Sequence, residues 1–178
     1  MTISKRHPTS TGIWAHTSYI KKMDDRKKRI NKKLLDKKMN NKLMFSHEDN
    51  TWETPRAFFD KLNDEFRFTL DPCCLPETAK CEKYYTPKEN GLMQNWEGQS
   101  VFCNPPYGRE IYTWVKKCSE ESLKQNTIVV MLIPARTDTK YFHEFIYNKA
   151  REIRFIKGRL KFGNCKNSAP FPSMVVIF

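Results

Sequence analysis

The segment Asn104-Pro105-Pro106-Tyr107 carries the most informative chemistry in the chain. Each proline fixes φ and removes a backbone N–H. Asn104, standing before a proline, is pushed toward an extended conformation. The turn that results is stiff. It leaves the Asn104 side-chain oxygen and the Pro105 carbonyl as acceptors, with no local donor for the second. Tyr107 adds a flat aromatic face. Two fixed acceptors beside an aromatic plate suit a planar ring bearing an NH2 group, such as adenine. That amine is a poor nucleophile, because its lone pair is delocalised into the ring. Accepting both N–H bonds holds the nitrogen and favours the pyramidal form, whose lone pair can face an electrophile. Catalysis by orientation and transition-state hydrogen bonding then needs no strong base. Stacking on Tyr107 is worth ~1–3 kcal/mol, so its ring face is expected to matter more than its hydroxyl. The bland alternatives are a rigid strand-to-helix turn or a proline-rich ligand. A short apolar strand before the segment and a helical face after it argue against the ligand.

The elements that must position this turn follow from periodicity. Ser100–Cys103 reads as a short buried strand ended by Asn104. Ile111, Trp114, Val115 and Cys118 make one helical face after it. Thr127–Ile133 is a continuous β-branched apolar run, the pattern of a strand covered on both faces. Upstream, Thr54-Pro55 reads as a helix start, with Thr54 as N-cap and Pro55 at the first helical position. Phe58, Phe59, Leu62 and Phe66 continue that helix, and Phe68–Asp71 reads as a strand stopped by Pro72. Lys83–Thr86 is a further candidate strand. Tyr141, Phe142, Phe145 and Ile146 share a helical face. Glu152–Ile156 and Ser173–Phe178 close the chain as strands, and 159–163 and 169–173 look like two arms of a hairpin. Helices alternating with short apolar strands predict an α/β sandwich around a mostly parallel sheet. Ligands of such folds bind at the carboxyl ends of the strands, so Asp71 and Asn104 are expected to face one crevice.

Charge is divided unevenly. Residues 1–45 hold thirteen Lys/Arg against three Asp, whereas residues 46–178 hold nineteen Lys/Arg against seventeen Asp/Glu. The chain therefore reads as a basic extension, 1–45, followed by one domain, 46–178. The extension is either a sequence-blind attraction for a polyanion, a solvated leader, or a dock for another acidic partner. A sparse apolar series, Ile20 to Met39, is compatible with a helix over 19–40. No run of eighteen apolar residues occurs and Met1–Ser18 lacks an apolar signal core, so a cytoplasmic protein with reduced thiols is expected. The six cysteines include no CxxC pair, and no metal site is expected.

The Asn104–Tyr107 segment is similar to the (D/N/S)PP(Y/F) motif of amino-methyltransferases. More broadly, residues 52–178 resemble the phage-type DNA N-6-adenine methyltransferase family. The matching blocks run in order: WETPRAFFDKLNDEFRFTLDPCCLPETAKCEKYYTP, GLMQNW, VFCNPPYGREIYTWV, IPARTDTKYFHEF, EIRFIKGRLKFG and NSAPFPSMVVIF. The resemblance implies a Rossmann-like fold, S-adenosylmethionine as cofactor, DNA as partner and N6 of adenine as acceptor. It implies that Asn104, Pro105, Pro106 and Tyr107 handle the target base. It puts Trp52, Thr54, Pro55 and the loop Asp71-Pro72-Cys73 near the methionine part of the cofactor. An acidic residue near the second strand should hold the ribose; Glu82 is the candidate taken here and Glu89 the other. Arg136 and Arg159 are candidate DNA contacts, and Phe162 a candidate second plate against the base, with a core role as its alternative. Asp138 reads as a helix N-cap. The Asp71 loop departs from the family pattern of Rossmann-like folds by lacking a Gly-rich turn. Asn-Pro-Pro-Tyr also occurs in enzymes that methylate a protein glutamine amide, and the Gly-poor loop would suit a non-catalytic DNA-binding protein; both remain competing expectations.

Overall fold

The computed structural model describes residues 52–163 and 167–178. The basic extension and its candidate helix lie outside them, as does Cys165. Six strands form one sheet: β1 (Leu70–Asp71), β2 (Lys83–Tyr84), β3 (Ser100–Cys103), β4 (Ile128–Pro134), β5 (Glu152–Phe155) and β6 (Ser173–Ile177). Their order across the sheet is β2-β1-β3-β4-β6-β5. β2, β1, β3 and β4 run parallel, and β6 alone opposes its neighbours. Two helices flank it, α1 (Arg56–Phe66) and α2 (Ile111–Glu121).

The period of two along each strand sorts the core into two halves. Val101, Cys103, Val129, Met131, Ile133, Met174 and Val176 face α2, meeting Trp114, Val115 and Cys118. Phe102, Val130, Leu132, Val175 and Ile177 face the opposite way, onto Phe59 and Leu62 of α1. Both faces of β4 are therefore covered, which is why its sequence is apolar at every position. This is a doubly covered, mostly parallel sheet, in keeping with the Rossmann-like fold expected from the sequence.

Several element boundaries differ from the sequence reading, each for a local reason. α1 starts at Arg56, with Pro55 in the cap position; the Phe58 and Phe59 amides both reach the Pro55 carbonyl at 3.0 Å. Thr54 is thus one residue outside the cap and its hydroxyl serves another partner. Strand β1 is two residues long because the Phe68 amide is taken by the Asn63 side chain at 2.8 Å, outside the ladder. The Tyr141–Ile146 face closes as a single π-turn, Phe142–Ile146, with Tyr147 N–H on the Phe142 carbonyl at 2.7 Å. Its first amides hang on the Thr139 carbonyl, not on an Asp138 cap. The expected hairpin arms meet through one rung, Ala169 N–H to Leu160 O at 2.8 Å, and the regular ladder is confined to β5 and β6.

The chain leaves β1 for β2 on one side, then crosses back to β3 on the other. That reversal sets a crevice at the carboxyl ends of β1 and β3, where open α/β sheets bind ligands. The segment returning from β2 is pinned twice. Glu121, buried on α2, accepts the Trp96 amide at 2.8 Å and both Lys117 and Lys124 at 2.7 Å. Burial alone would raise this carboxyl, but the two lysines and the Trp96 N–H outweigh it and hold it below its ordinary value. The Trp96 indole N–H in turn reaches the Gly91 carbonyl at 3.0 Å.

Gly91 lies against the loop after β1. A Cβ there would stand 1.9 Å from the Pro72 carbonyl oxygen and 3.0 Å from its carbon. Both are backbone atoms, so no rotamer change relieves the clash. Gly91→Ala is expected to lose about 1–3 kcal/mol of stability through overpacking, seen as a lower urea midpoint. An unchanged midpoint would mean that the Pro72 loop yields freely and is not held by this contact.

Candidate active site

Asn104 begins where β3 ends, at the reversal point. Its side chain is tied on every polar atom. Nδ2 donates to the Trp52 carbonyl at 2.5 Å and to Thr54 Oγ1 at 3.0 Å. Oδ1 accepts from the Tyr107 hydroxyl at 2.6 Å. The same hydroxyl lies 3.2 Å from the Leu132 carbonyl. Burial pushes the Tyr107 phenol well above its ordinary range, so it stays protonated. Among the described residues no hydrogen bond reaches the Pro105 carbonyl, as expected of a turn whose prolines removed the nearby donors. Pro105 is buried, and Pro106 and Tyr107 are half-buried.

The segment 52–55 crosses this turn as a strap. The Trp52 ring sits edge-on to Phe162 and Phe171, with centroids at 5.5 and 5.2 Å. Tyr107 meets the same two rings at 6.2 and 5.5 Å. Glu53 accepts the Gly163 amide on its carbonyl at 2.8 Å and Lys80 on its carboxylate at 3.0 Å. Of the two roles the sequence left open for Phe162, burial favours the core one. At 1% exposure it is a core ring behind Trp52 and Tyr107, with no face left to press on a base. Tyr107 differs from expectation, since its hydroxyl is engaged as fully as its ring.

Asp71 stands at the end of β1, next to β3. It is 4% exposed, and among the described residues two backbone amides reach its carboxylate, Lys80 at 3.1 Å and Cys73 at 3.4 Å. Burial raises its pKa from 3.8 to about 6, and the two amides only partly offset that. Pro72 carries the Gly91 contact. Cys73 Sγ lies 3.7 Å from Cys103 Sγ. Burial pushes both thiols up, leaving them protonated. Among the described residues no group of three or more His, Cys, Asp or Glu is placed to hold a metal.

Glu82 is a correction to the sequence reading. It precedes β2, and β2 is parallel to β1 with Asp71 opposite Tyr84. Glu82 is thus exposed at the amino end of its strand, away from the crevice. Glu89 lies beyond the carboxyl end, where it caps the turn by accepting from the Thr86 amide at 2.9 Å and from the Thr86 hydroxyl.

Arg136 follows β4 and Arg159 follows β5. Since β4 and β5 both oppose β6, their carboxyl ends share the edge that carries Asn104. Arg136 is half-buried and Arg159 exposed. Among the described residues no carboxylate pairs with either.

Four participants escaped the sequence reading. Glu53 and Lys80 pair across 27 positions, for which no spacing signal exists. Phe171 sits in an irregular proline-flanked stretch without periodicity. Gly91 had a visible signal, a glycine after the second strand, but its neighbour Pro72 is distant in sequence.

The model of the DNA N-6-adenine-methyltransferase (Dam) family matches residues 41–178. The DNA N-6-adenine-methyltransferase of Haemophilus phage HP1 is 31% identical over 135 residues, covering 71% of this chain and 77% of that protein. The DNA N-6-adenine-methyltransferase of Escherichia phage T1 is 36% identical over 112 residues, covering 61% of this chain and 45% of that protein. The matched span contains the strap, the Asp71 loop and the Asn104 turn together. A likeness of this extent, on a sheet whose reversal point carries those three segments, makes the chain a member of the DNA N-6-adenine-methyltransferase family.

Proposed function

We propose that this protein methylates the exocyclic N6 of adenine in DNA, using S-adenosylmethionine, in the cytoplasm. The observation that carries the reading is the Asn104 carboxamide, held with Oδ1 beside Tyr107 at the reversal point of the sheet. Asn104 Oδ1 and the Pro105 carbonyl accept the two amine hydrogens. The amine keeps both protons while its lone pair is turned outward, and two neutral oxygens stabilise the positive charge that grows on nitrogen until one proton is lost to solvent after transfer. The half-buried Tyr107 ring supplies the plate for the base. Extrusion of that base costs a few kcal/mol, which phosphate contacts by Arg136, Arg159 and the basic residues 1–45 offset without reading sequence.

Asp71 fits the cofactor. A carboxylate that is desolvated and only partly satisfied, at the carboxyl end of β1, suits a ligand carrying positive charge. Asp71, Pro72 and Cys73 hold the methionine part, with Trp52 and Pro55 alongside, and Glu89 replaces Glu82 as the residue for the ribose. When bound, S-adenosylmethionine supplies an electrophilic methyl group on a sulfonium.

Incubation of purified protein with DNA and cofactor, then digestion to nucleosides and mass spectrometry, should give N6-methyladenine and no N4-methylcytosine. Asn104→Ala should abolish the product while cofactor affinity stays within a few-fold. Turnover retained in that variant would remove Asn104 from the chemistry.

Tyr107→Ala should nearly silence the enzyme. Tyr107→Phe keeps the ring but releases Asn104 Oδ1 from its donor, and one hydrogen bond of about 1 kcal/mol corresponds to roughly a fivefold fall in kcat. Wild-type kcat in Tyr107→Phe would show that the hydroxyl has no such part.

The raised pKa of Asp71 gives a pH test with two opposite slopes. The folded carboxyl titrates at about 6 against an ordinary 3.8. Its contribution to stability is therefore present below about pH 4 and lost as pH rises through about 6. Cofactor affinity runs the other way, since the anion binds the cation: it should fall as pH drops through about 6. Titration of cofactor by calorimetry between pH 5 and 8 would measure this. A profile as steep in Asp71→Asn as in wild type would place the titrating group elsewhere.

A further inference from the structure

We infer that the Trp52–Thr54 segment is a positioning element for Asn104, fixing which end of its carboxamide faces the incoming amine. The inference rests on the reading of Asn104 as the acceptor for that amine. A primary amide is ambiguous by shape. Turned by 180°, it would present Nδ2 instead of Oδ1, and two N–H donors would confront an amine that must itself donate. Nothing in the Asn-Pro-Pro-Tyr turn prevents this. The prolines fix the backbone and leave the side-chain torsion free.

Neither hydroxyl at the site decides the orientation alone. Tyr107 gives its proton to Oδ1 at 2.6 Å, but it also lies 3.2 Å from the Leu132 carbonyl. With its proton turned to Leu132, its oxygen could accept from a reversed amide. The Thr54 hydroxyl is equally able to donate or accept. The Trp52 carbonyl is different, because it can only accept. At 2.5 Å it requires an N–H from Asn104. A reversed amide would set two carbonyl oxygens against each other with no proton between them. Thr54 Oγ1 at 3.0 Å then takes the second N–H, so both amide protons are consumed and Oδ1 alone is left for substrate.

The strap is built to keep that carbonyl in place. The Trp52 ring is wedged against Phe162 and Phe171. The Glu53 main chain is held by the Gly163 amide and its side chain by Lys80. Thr54 is 3% exposed, so its hydroxyl is shielded from water that could replace Asn104 as partner. Family resemblance put Trp52 and Thr54 on the cofactor side; this geometry gives their polar atoms to the base side.

The test uses Thr54→Val and Thr54→Ser in the full chain, with kcat, KM for DNA, cofactor Kd and melting temperature measured for each. Thr54→Val should lower kcat about five- to tenfold, the loss of one hydrogen bond, with KM and cofactor Kd within twofold. Thr54→Ser should restore kcat. A raised cofactor Kd with kcat unchanged would return Thr54 to the cofactor side and overturn the inference. A lowered melting temperature with kcat lost equally in the Ser variant would make the role merely structural and also overturn it. An independent readout needs no turnover. In protein labelled with 15N-asparagine, the Asn104 side-chain protons should exchange slowly in wild type, and one should become fast in Thr54→Val. Fast exchange of both in wild type would overturn the inference. If the protons behave as expected while wild type leaves DNA unmethylated, the functional reading fails and the positioning stands. Asn104→Asp gives the sharpest contrast. It keeps an acceptor for the amine but sets a carboxylate oxygen against the Trp52 carbonyl, so at pH 8 it should fall at least as far as Thr54→Val. Wild-type activity in that variant would show that Trp52 demands no donor.

Discussion

The hydrogen bond from Asn104 to the Trp52 carbonyl is the constraint on which the site depends. A turn with two prolines is stiff but poor in backbone donors, and its Tyr107 hydroxyl can turn its proton to Leu132 instead, so the turn does not by itself orient the Asn104 side chain. Orientation must come from another part of the chain. Here it comes from 50 and 52 residues upstream, through a strap that accepts twice from Asn104. Much of the surrounding packing serves that strap. Phe162 and Phe171 wedge its indole, Gly163 binds its backbone, and Lys80 links it to the loop after β1. The Asn104 turn and the loop after β1 are thereby joined by one short segment.

The loop after β1 shows another solution to a familiar requirement. Rossmann-like sites use glycines within this loop to let backbone come close. The Asp71–Cys74 loop has none. It is closed by its own bonds, Cys73 to Asp71 and Cys74 to the Tyr85 carbonyl. The close approach is supplied from outside, by Gly91 against the Pro72 carbonyl. Gly91 is fixed through Trp96 to Glu121, whose buried charge two lysines neutralise. A carboxylate on a distant helix thus bears on the shape of the loop after β1.

Legibility in the sequence followed the range of the interactions. The β4 run and the α2 face could be read because both are periodic over a few residues. The Asn-Pro-Pro-Tyr turn could be read because proline acts on its own backbone and its immediate neighbour. That Asp71 and Asn104 share one edge of the sheet followed from strand ends alone. Thr54 was misread because a Thr before a Pro is a good local cap, and its actual partner is 50 positions away. Phe162 stayed open between base and core because a lone aromatic beside glycine carries no sign of burial; the core role is the one its 1% exposure favours. Glu82 failed on direction: a residue next to a strand gives no clue to which end of the sheet it occupies until the register is known. The Tyr141–Ile146 face had helical spacing, but the chain had room for only one π-turn.

Charge is distributed in keeping with the chemistry of the two partners. Around Asn104 the titratable groups are kept neutral by burial, which raises the Tyr107 phenol and the Cys73 and Cys103 thiols. The nearby Glu53 is neutralised by Lys80. The amine of a nucleobase is itself neutral, and an anion beside it would attract water and compete for its hydrogens. Neutral oxygens avoid that while still answering the charge that appears on nitrogen during transfer. Asp71, one strand away, is the exception: desolvated, short of donors and raised to about 6. On the proposed function an anion would be useful there, because the methyl donor carries positive charge. On the proposed function, placing the neutral acceptors at the end of β3 and the carboxylate at the end of β1 would sort the two ligands by charge before either meets a specific contact.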